Sequence, residues 1–180
     1  MSSLQRKVAI VFDTSTLIRA TQKILSNGKI DSLNLSKCHL YTTESVISEL
    51  KSRLSRILAQ SLMTKISILT PKRSTIQRIV NVAKKMGEIL NLSDTDIEII
   101  ALAYDLKKKY NEVYVASEDF SIQNLCRILN VKILSVSKKI KHVIKRLKKC
   151  IACNFIYNYS LDSCPICGCE KYIVLKRRKK

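Results

Sequence analysis

Residues 7–18 read KVAIVFDTSTLI, and this stretch decides the fold. Its first six residues form a β-branched and apolar run, typical of a buried strand, that ends at Asp13. Residues 14–25 then have the pattern of a helix, which breaks near Gly28. A buried strand followed directly by a helix predicts the first unit of an α/β fold.

The same alternation continues through the first three quarters of the chain. Further strands are predicted at 39–41, 65–69, 112–117 and 131–136, and further helices at 43–62, 73–90, 94–109 and 119–129. Strands that alternate with helices form a parallel or mostly parallel sheet between helices. We therefore expect an α/β domain over residues 1–136. Its functional site is expected at the carboxyl ends of the strands, where parallel sheets carry their sites.

Charge gives the first indication of function. The 180 residues include 33 Lys and Arg against 14 Asp and Glu, a formal charge of +19, while 46% apolar residues suffice for a core. This surplus favours a polyanionic partner, nucleic acid before an anionic membrane, although a lysine-rich surface without such a partner is the simpler alternative. The basic segment 137–149 is predicted to be a phosphate-facing helix or linker, or else a docking helix with solvated lysines. The basic tail is assigned to 173–180, and its last five residues, KRRKK at 176–180, are predicted to be disordered.

Several classes of protein are excluded. Three scattered glycines cannot form a glycine-rich phosphate loop, and two distant histidines cannot form an HExxH zinc site. The apolar run before Asp13 is too short for a signal peptide, and no run approaches the ~18 apolar residues of a spanning helix. With seven cysteines, we expect a protein of the reducing cytoplasm that does not bind membranes.

Four cysteines have the spacing of a zinc site. Cys150 and Cys153 form one CxxC pair, and Cys164 and Cys167 form a second pair ten residues later. Such pairs supply four thiolates for one tetrahedral Zn²⁺, which would be structural because no coordination position stays open. The predicted zinc ribbon spans 150–172, and a redox pair is the alternative.

The remaining cysteines are expected to have other roles. Cys169 is an extra thiol that is either a spectator or a competitor of Cys167, whereas Cys38 and Cys126 lie among apolar residues and are expected in the core.

Carboxylates lie where buried elements begin or end. The set is Asp13, Glu49, Asp94, Asp96, Glu118 and Asp119. If these acids converge at one sheet edge, their mutual repulsion must be relieved by protonation or by cations. Oxygen ligands without histidine match Mg²⁺ or Mn²⁺, and such a site polarises a phosphodiester and activates water.

Each acid also has a structural alternative. Asp13 could cap the helix after it, and Asp94 could interact with a helix dipole. Glu49 could pair with Lys51 or Arg53, and Glu118 could face solvent. Singly these signals are weak, and the prediction depends on their joint placement.

Four motifs, in this order, resemble the PIN-domain ribonucleases. They are VFDTSTLI at 11–18, TTESVISEL at 42–50, LSDTDIEIIALA at 92–103 and SEDFSIQNL at 117–125. The last two, followed by a zinc ribbon, are similar to the Nin-one-binding (Nob) endonuclease family in its compact archaeal form. The resemblance implies a PIN-like parallel sheet and places the family's metal-binding acids on Asp13, Glu49, Asp96 and Asp119, with Asp94 and Glu118 less certain members. It also places the zinc ligands on Cys150, Cys153, Cys164 and Cys167.

The resemblance implies an activity as well. Members mature the 3′ end of small-subunit rRNA, so we expect a Mg²⁺- or Mn²⁺-dependent endoribonuclease that acts on precursor rRNA in the pre-small ribosomal subunit, with assembly factors as further partners. A VapC-type toxin ribonuclease and a catalytically inert RNA-binding assembly factor are the two alternatives. Neither the oligomeric state nor the cleavage site follows from the sequence.

Overall fold

The computed structural model describes residues 7–19, 29–30, 33–34, 37–50, 65–135 and 142–179. The strands are β1 (Val8–Phe12), β2 (Lys29–Ile30), β3 (Leu33–Asn34), β4 (Cys38–Thr42), β5 (Ile66–Ile68), β6 (Glu112–Ala116), β7 (Lys132–Leu134), β8 (Val143–Cys150), β9 (Ile156–Asn158) and β10 (Tyr172–Lys179). Helical residues at 14–19 (α1) are followed by α2 (Glu44–Ser48), α3 (Arg73–Met86), α4 (Asp94–Leu106) and α5 (Phe120–Ile128). A 3₁₀ turn covers Ile89–Asn91.

The main sheet has five parallel strands in the order β5-β4-β1-β6-β7. The chain runs outward from β1 through β4 to β5, and then crosses to the other side of β1 for β6 and β7. The strand order therefore reverses between β1 and β6, and ligands of such sheets bind beyond the carboxyl ends at this point. The predicted α/β fold with a parallel sheet flanked by helices is confirmed.

Burial explains why these segments become strands and helices. From Ala9 to Phe12, β1 has no exposed surface, as expected for a central parallel strand covered by helices on both faces. In α3 the buried residues Thr75, Ile79, Ala83 and Met86 lie on one face, whereas α4 is buried around most of its circumference.

Element ends differ slightly from the predicted ones. The helix predicted at 73–90 ends at Met86, because Gly87 has φ +72° and ends it in the left-handed conformation. Strand 112–117 ends at Ala116, and helix 94–109 ends at Leu106. The parts of the predicted helices at 20–25 and 51–62 lie outside the described residues.

The basic segment is the main correction. Residues 143–149, predicted to be helix or linker, lie in strand β8, and the KRRKK tail predicted to be disordered lies, as far as Lys179, in β10 (Tyr172–Lys179). These two strands pair antiparallel from Val143↔Lys179 to Cys150↔Tyr172, and β9 pairs with β8 on its other side. The spacing of Val143, Ile144 and Leu147 fits a helix, but pairing with a distant strand overrides that local preference.

This second sheet packs on the end of the α/β domain. The Asn124 side chain of α5 donates to the Ile144 carbonyl (2.6 Å) and accepts from the Ile144 N–H (2.8 Å), as a neighbouring strand would. Asn124 also donates to Glu88 Oε1 (2.7 Å), and Glu88, 1% exposed, forms an ion pair with Arg146. A buried charge therefore has partners from both domains.

Gly87 lies at the same junction. A Cβ at this position would come within 2.6 Å of the Arg146 carbonyl oxygen and 2.8 Å of Tyr159 Cβ. The contact between α3 and β8 therefore needs glycine for space as well as for its backbone conformation.

No helix in the part of the chain that the structure describes has the length and apolar character to cross a membrane.

Candidate active site and metal centre

Asp13 is the first carboxylate at the switch point of the sheet. It directly follows β1, is only 7% exposed, and its N–H donates to the Ala116 carbonyl at the end of β6 (3.2 Å). Its Oδ1 accepts from the N–H and the hydroxyl of Thr16, both at 2.7 Å, and from the Ser15 hydroxyl (3.1 Å). Asp13 thus caps the helical residues after it, as the structural alternative predicted, and these bonds hold the carboxylate at the sheet edge.

Asp96 and Asp119 also accept hydrogen bonds from backbone N–H groups at the starts of helices. Asp96 forms a capping box with Ser93, in which its Oδ2 accepts the Ser93 N–H (2.8 Å). Asp119 is the N-cap of α5, and its Oδ1 accepts the N–H groups of Ser121 (2.6 Å) and Ile122 (3.0 Å). All three aspartates therefore use one oxygen for capping, which fixes their position.

These three aspartates interact through their charges. Partial burial raises the pKa of the Asp96 carboxyl, hydrogen bonds from Ser93 oppose that rise, and the charges of Asp119 and Asp13 add to it. Like charges that act on a half-buried carboxyl favour a cation nearby, although the oxygens of these described acids do not form a group that lies within 4.8 Å of one another.

Glu49 lies beside this group on an exposed position at the end of α2. Its Oε2 accepts the Thr14 hydroxyl (2.5 Å), one residue from Asp13. The alternative partners Lys51 and Arg53 lie outside the described residues.

The two less certain acids are placed differently. Asp94 is an exposed first-turn residue of α4. Glu118, predicted to face solvent as its structural alternative, is instead half-buried and accepts the Ser135 hydroxyl (3.1 Å). The prediction for Glu118 failed because the sequence does not reveal that β7 ends beside it.

One acid close to these elements was not among the residues predicted from the sequence. Glu98 of α4 is half-buried and accepts the Ser45 hydroxyl (2.6 Å), and Ser45 contacts the Thr43 hydroxyl (2.8 Å). Glu98 thereby ties α4 to α2, the helix that ends at Glu49. Glu98 lies within the apolar run IEIIALA, and the position of a single acid in an apolar helix does not indicate which residue it will contact. It was therefore not selected from the sequence.

The cysteines form a tight group. Among the described residues, one group of three or more His, Cys, Asp or Glu side chains has ligand atoms that all lie within 4.8 Å of one another. Its members are Cys150, Cys153, Cys164 and Cys167. The Sγ atoms of Cys150 and Cys167, of Cys153 and Cys164, and of Cys153 and Cys167 are each 3.5 Å apart. Tetrahedral Zn²⁺ with bonds of ~2.3 Å requires edges of about 3.8 Å, so four thiolates fit this metal.

Backbone N–H groups support the negative sulfurs. The N–H of Cys153 is the main cause that lowers the pKa of the Cys150 thiol to about 6. Burial acts to raise the pKa of Cys164, but the N–H groups of Cys167 and Ile166 outweigh it and the net shift is downward. The first cysteine of each CxxC turn therefore favours thiolate, the form that binds metal, whereas the pKa values of Cys153 and Cys167 are raised, because their backbone N–H donors are outweighed by neighbouring sulfurs and burial.

Residues 10–106 match the family described as PIN domain of ribonuclease. Endoribonuclease Nob1 of Pyrococcus abyssi is 37% identical over 143 residues, which are 77% of this chain and 86% of that protein. The chain belongs to the PIN-domain Nob1 endoribonuclease family.

The chain is also similar to two further nucleases, one named VapC1 and one named nob1. Ribonuclease VapC1 of Thermoplasma acidophilum is 29% identical over 161 residues, 89% of this chain and 75% of that protein. The 20S-pre-rRNA D-site endonuclease nob1 of Schizosaccharomyces pombe is 34% identical over 71 residues, 39% of this chain and 18% of that protein. The family resemblance seen in the four motifs is confirmed.

Three further cysteines of this Nob1-family chain lie outside the zinc group. Cys169 is half-buried against the group, and its Sγ points to the Lys171 carbonyl (3.8 Å) instead of joining the four. Cys126 is fully buried in the main core, and Cys38 packs against that core. The spectator role of Cys169 agrees with this placement.

Proposed function

We propose that this protein is a divalent-metal-dependent endoribonuclease that matures the 3′ end of small-subunit (16S) rRNA. The observation that carries the proposal is that Asp13 and Asp119, which follow β1 and β6 at the switch point of the parallel sheet, both act by charge on Asp96 at the start of α4, while Glu49 accepts a hydrogen bond from Thr14 next to Asp13. These four acids are the proposed ligands of Mg²⁺ or Mn²⁺, and the ribbon cysteines are the proposed ligands of a structural Zn²⁺.

The capping bonds explain how one carboxylate serves two purposes. Backbone donors occupy Oδ1 of Asp13, Oδ2 of Asp96 and Oδ1 of Asp119. The second oxygen of each aspartate is the one proposed to face the cation. Because the capped oxygen is fixed by its own helix, the free oxygen has little rotational freedom to lose when a cation binds.

When bound, the divalent ions supply Lewis acidity at the scissile phosphate and lower the pKa of the attacking water. The chain itself orients the acids and holds the RNA. Its surplus of positive charge is proposed to bind phosphates, since only 14 of the 180 residues are Asp or Glu against 33 Lys and Arg. Cleavage by attack of water is expected to leave 5′-phosphate and 3′-hydroxyl ends.

The substrate is the finer part of the proposal. Pre-rRNA appears in the name of the Schizosaccharomyces pombe relative, and a net charge of +19 suits a ribosomal precursor particle with its assembly factors. The cytoplasmic location expected from the thiol-rich sequence belongs to this proposal as well.

The test is cleavage of an RNA that spans the small-subunit rRNA 3′ junction. Purified, zinc-loaded protein is incubated with Mn²⁺ or Mg²⁺, or with neither, and the product ends are mapped. The metal-free control simply omits the added ion. A chelator is not used, because it would also remove zinc. Cleavage at the mature 3′ end only with added ion supports the proposal, and no cleavage of any junction RNA contradicts it.

A VapC-type toxin ribonuclease is the second candidate, favoured by the 29% identity to VapC1 over 89% of the chain. A small protein that co-purifies tightly as an antitoxin, together with inactivity on the rRNA junction, would support it. The inert assembly factor is the third, and it predicts junction binding without cleavage.

A further inference from the structure

An aromatic ring lies exposed directly beside the carboxylates. Phe120 is the first residue of α5, follows Asp119, and is 51% exposed. The rest of α5 buries Ile122, Leu125 and Cys126 and half-buries Ile128, so Phe120 is its one exposed apolar residue. Burial of a phenylalanine ring is favourable by ~2 kcal/mol, so a ligand that covers this ring would gain affinity.

Phe120 forms one wall of a crevice between α5 and the ribbon sheet. The crevice has a volume of about 350 Å³, and Asn124, His142, Lys176 and Arg178 also line it. Lys176 pairs with Arg146 and Arg178 with Ile144 in the antiparallel register, so all four side chains lie on the face of the sheet that is turned toward α5.

The charge of this crevice is positive. Its buried acid, Glu88, is paired with Arg146, whereas Lys176 and Arg178 are exposed. Arg178 also lines a second crevice of about 460 Å³, to which Lys85, Lys145 and Arg177 contribute. Cations therefore continue along β10 away from the carboxylates.

We propose that this crevice binds single-stranded RNA next to the cleavage site, with one base stacked on Phe120 and backbone phosphates on Lys176 and Arg178. A flat ring at the head of a positive groove is the combination by which single strands are held without sequence readout. Bases inside a duplex are stacked on one another, so only an unpaired base can stack on Phe120. The inference rests on the proposed function in that the bound strand is the nuclease substrate.

The experiment separates stacking from charge. Binding of a fluorescein-labelled oligouridylate to the full, zinc-loaded chain is measured by anisotropy at several salt concentrations, without added Mg²⁺ or Mn²⁺. Phe120→Ala is expected to weaken binding roughly tenfold to a hundredfold with an unchanged salt slope. Lys176→Ala is expected to lower the slope by about 0.7, because one phosphate contact is lost.

Matched variants keep the result interpretable. Phe120→Tyr should restore affinity, whereas Phe120→Leu, which keeps an apolar side chain without a ring, should not. Phe155→Ala removes another exposed ring, 44% exposed in the ribbon, and Lys109→Ala removes an exposed lysine just ahead of β6, at the amino end of the sheet. Both should bind like the parent chain.

Equal affinity of Phe120→Ala and the parent chain, or full rescue by Phe120→Leu, would overturn the inference. Cleavage by the parent chain is assayed separately with Mn²⁺. If the parent cleaves RNA while Phe120→Ala binds normally, the crevice proposal falls alone. If Phe120→Ala binds weakly but the parent never cleaves, the nuclease proposal falls and the RNA surface stands.

Discussion

Asp13 and Asp94 allow a charge-matched test at the level of single residues. Asp13→Asn removes a proposed metal ligand that is buried and hydrogen bonded, whereas Asp94→Asn removes the same charge from an exposed helix start. We expect Asp13→Asn to reduce cleavage by about a hundredfold or more, because the cation loses a ligand, while RNA binding changes little. Cleavage rates and RNA affinities of both variants check this.

The result for Asp94→Asn is the control, and its activity should stay near that of the parent chain. Equal loss of cleavage and binding in a folded Asp13→Asn protein would contradict the division between a carboxylate site and an RNA surface.

Asp96 gives a prediction about pH. Its pKa is raised in the folded protein, so the ionised form is disfavoured there and its share of stability is lost as the pH rises through the folded pKa. Without added divalent ions, Asp96→Asn should therefore melt at a higher temperature than the parent at neutral pH. The difference should vanish at acidic pH, below the usual carboxyl range, where Asp96 is protonated.

Thermal unfolding followed by circular dichroism at both pH values tests this. Added Mg²⁺ should raise the melting temperature of the parent more than that of Asp96→Asn, since only the parent keeps the whole ligand set. A variant that is less stable at both pH values would show that the capping box outweighs the repulsion.

At the level of elements, two glycines with nearly equal backbone angles differ in their surroundings. Gly87 (φ +72°) faces the Arg146 carbonyl across the domain junction, whereas a Cβ at Gly168 (φ +70°) meets nothing within 4 Å. Gly168→Ala should cost only the left-handed backbone penalty, about 1–2 kcal/mol. Gly87→Ala should cost more, because α3 and β8 must also separate.

Denaturant unfolding in the presence of Zn²⁺ measures both costs. Equal destabilisation by the two substitutions would mean that the α3–β8 contact contributes nothing beyond the backbone conformation.

The zinc centre is a prediction for the whole molecule. The buried apolar set of the ribbon comprises Cys150, Tyr157 and Cys164, which is too small to hold a sheet together, so metal binding must supply much of its folding energy. The purified chain should contain one zinc per molecule by elemental analysis. Cys153→Ser should lose the metal and unfold β8 to β10, as seen by hydrogen exchange.

Cys169→Ser is the matched control and should keep both zinc and the sheet, since its sulfur lies outside the group of four. Loss of zinc in Cys169→Ser would make that cysteine a ligand.

Local pattern explains which parts of the fold were predictable. Residues 8–12, VAIVF, are all apolar because a central parallel strand is buried on both faces. The CxxC pairs can be recognised in the sequence because four ligands of one ion need fixed spacing. The strand at 143–150 was not predictable from within, since its partner lies 22 to 36 residues further along the chain and its own spacing fits a helix equally well.

The sequence by itself determined the α/β alternation, the four zinc-ligand candidates and the identity of the proposed metal-binding acids. Only the tertiary structure decided that β8 pairs with β10, that Glu88 and Arg146 neutralise one another between the domains, and that Phe120 stands exposed over a basic crevice. The reason is one of range. Periodicity and ligand spacing are properties of neighbouring residues, whereas partners in a junction are chosen by packing between segments that the chain brings together from far apart.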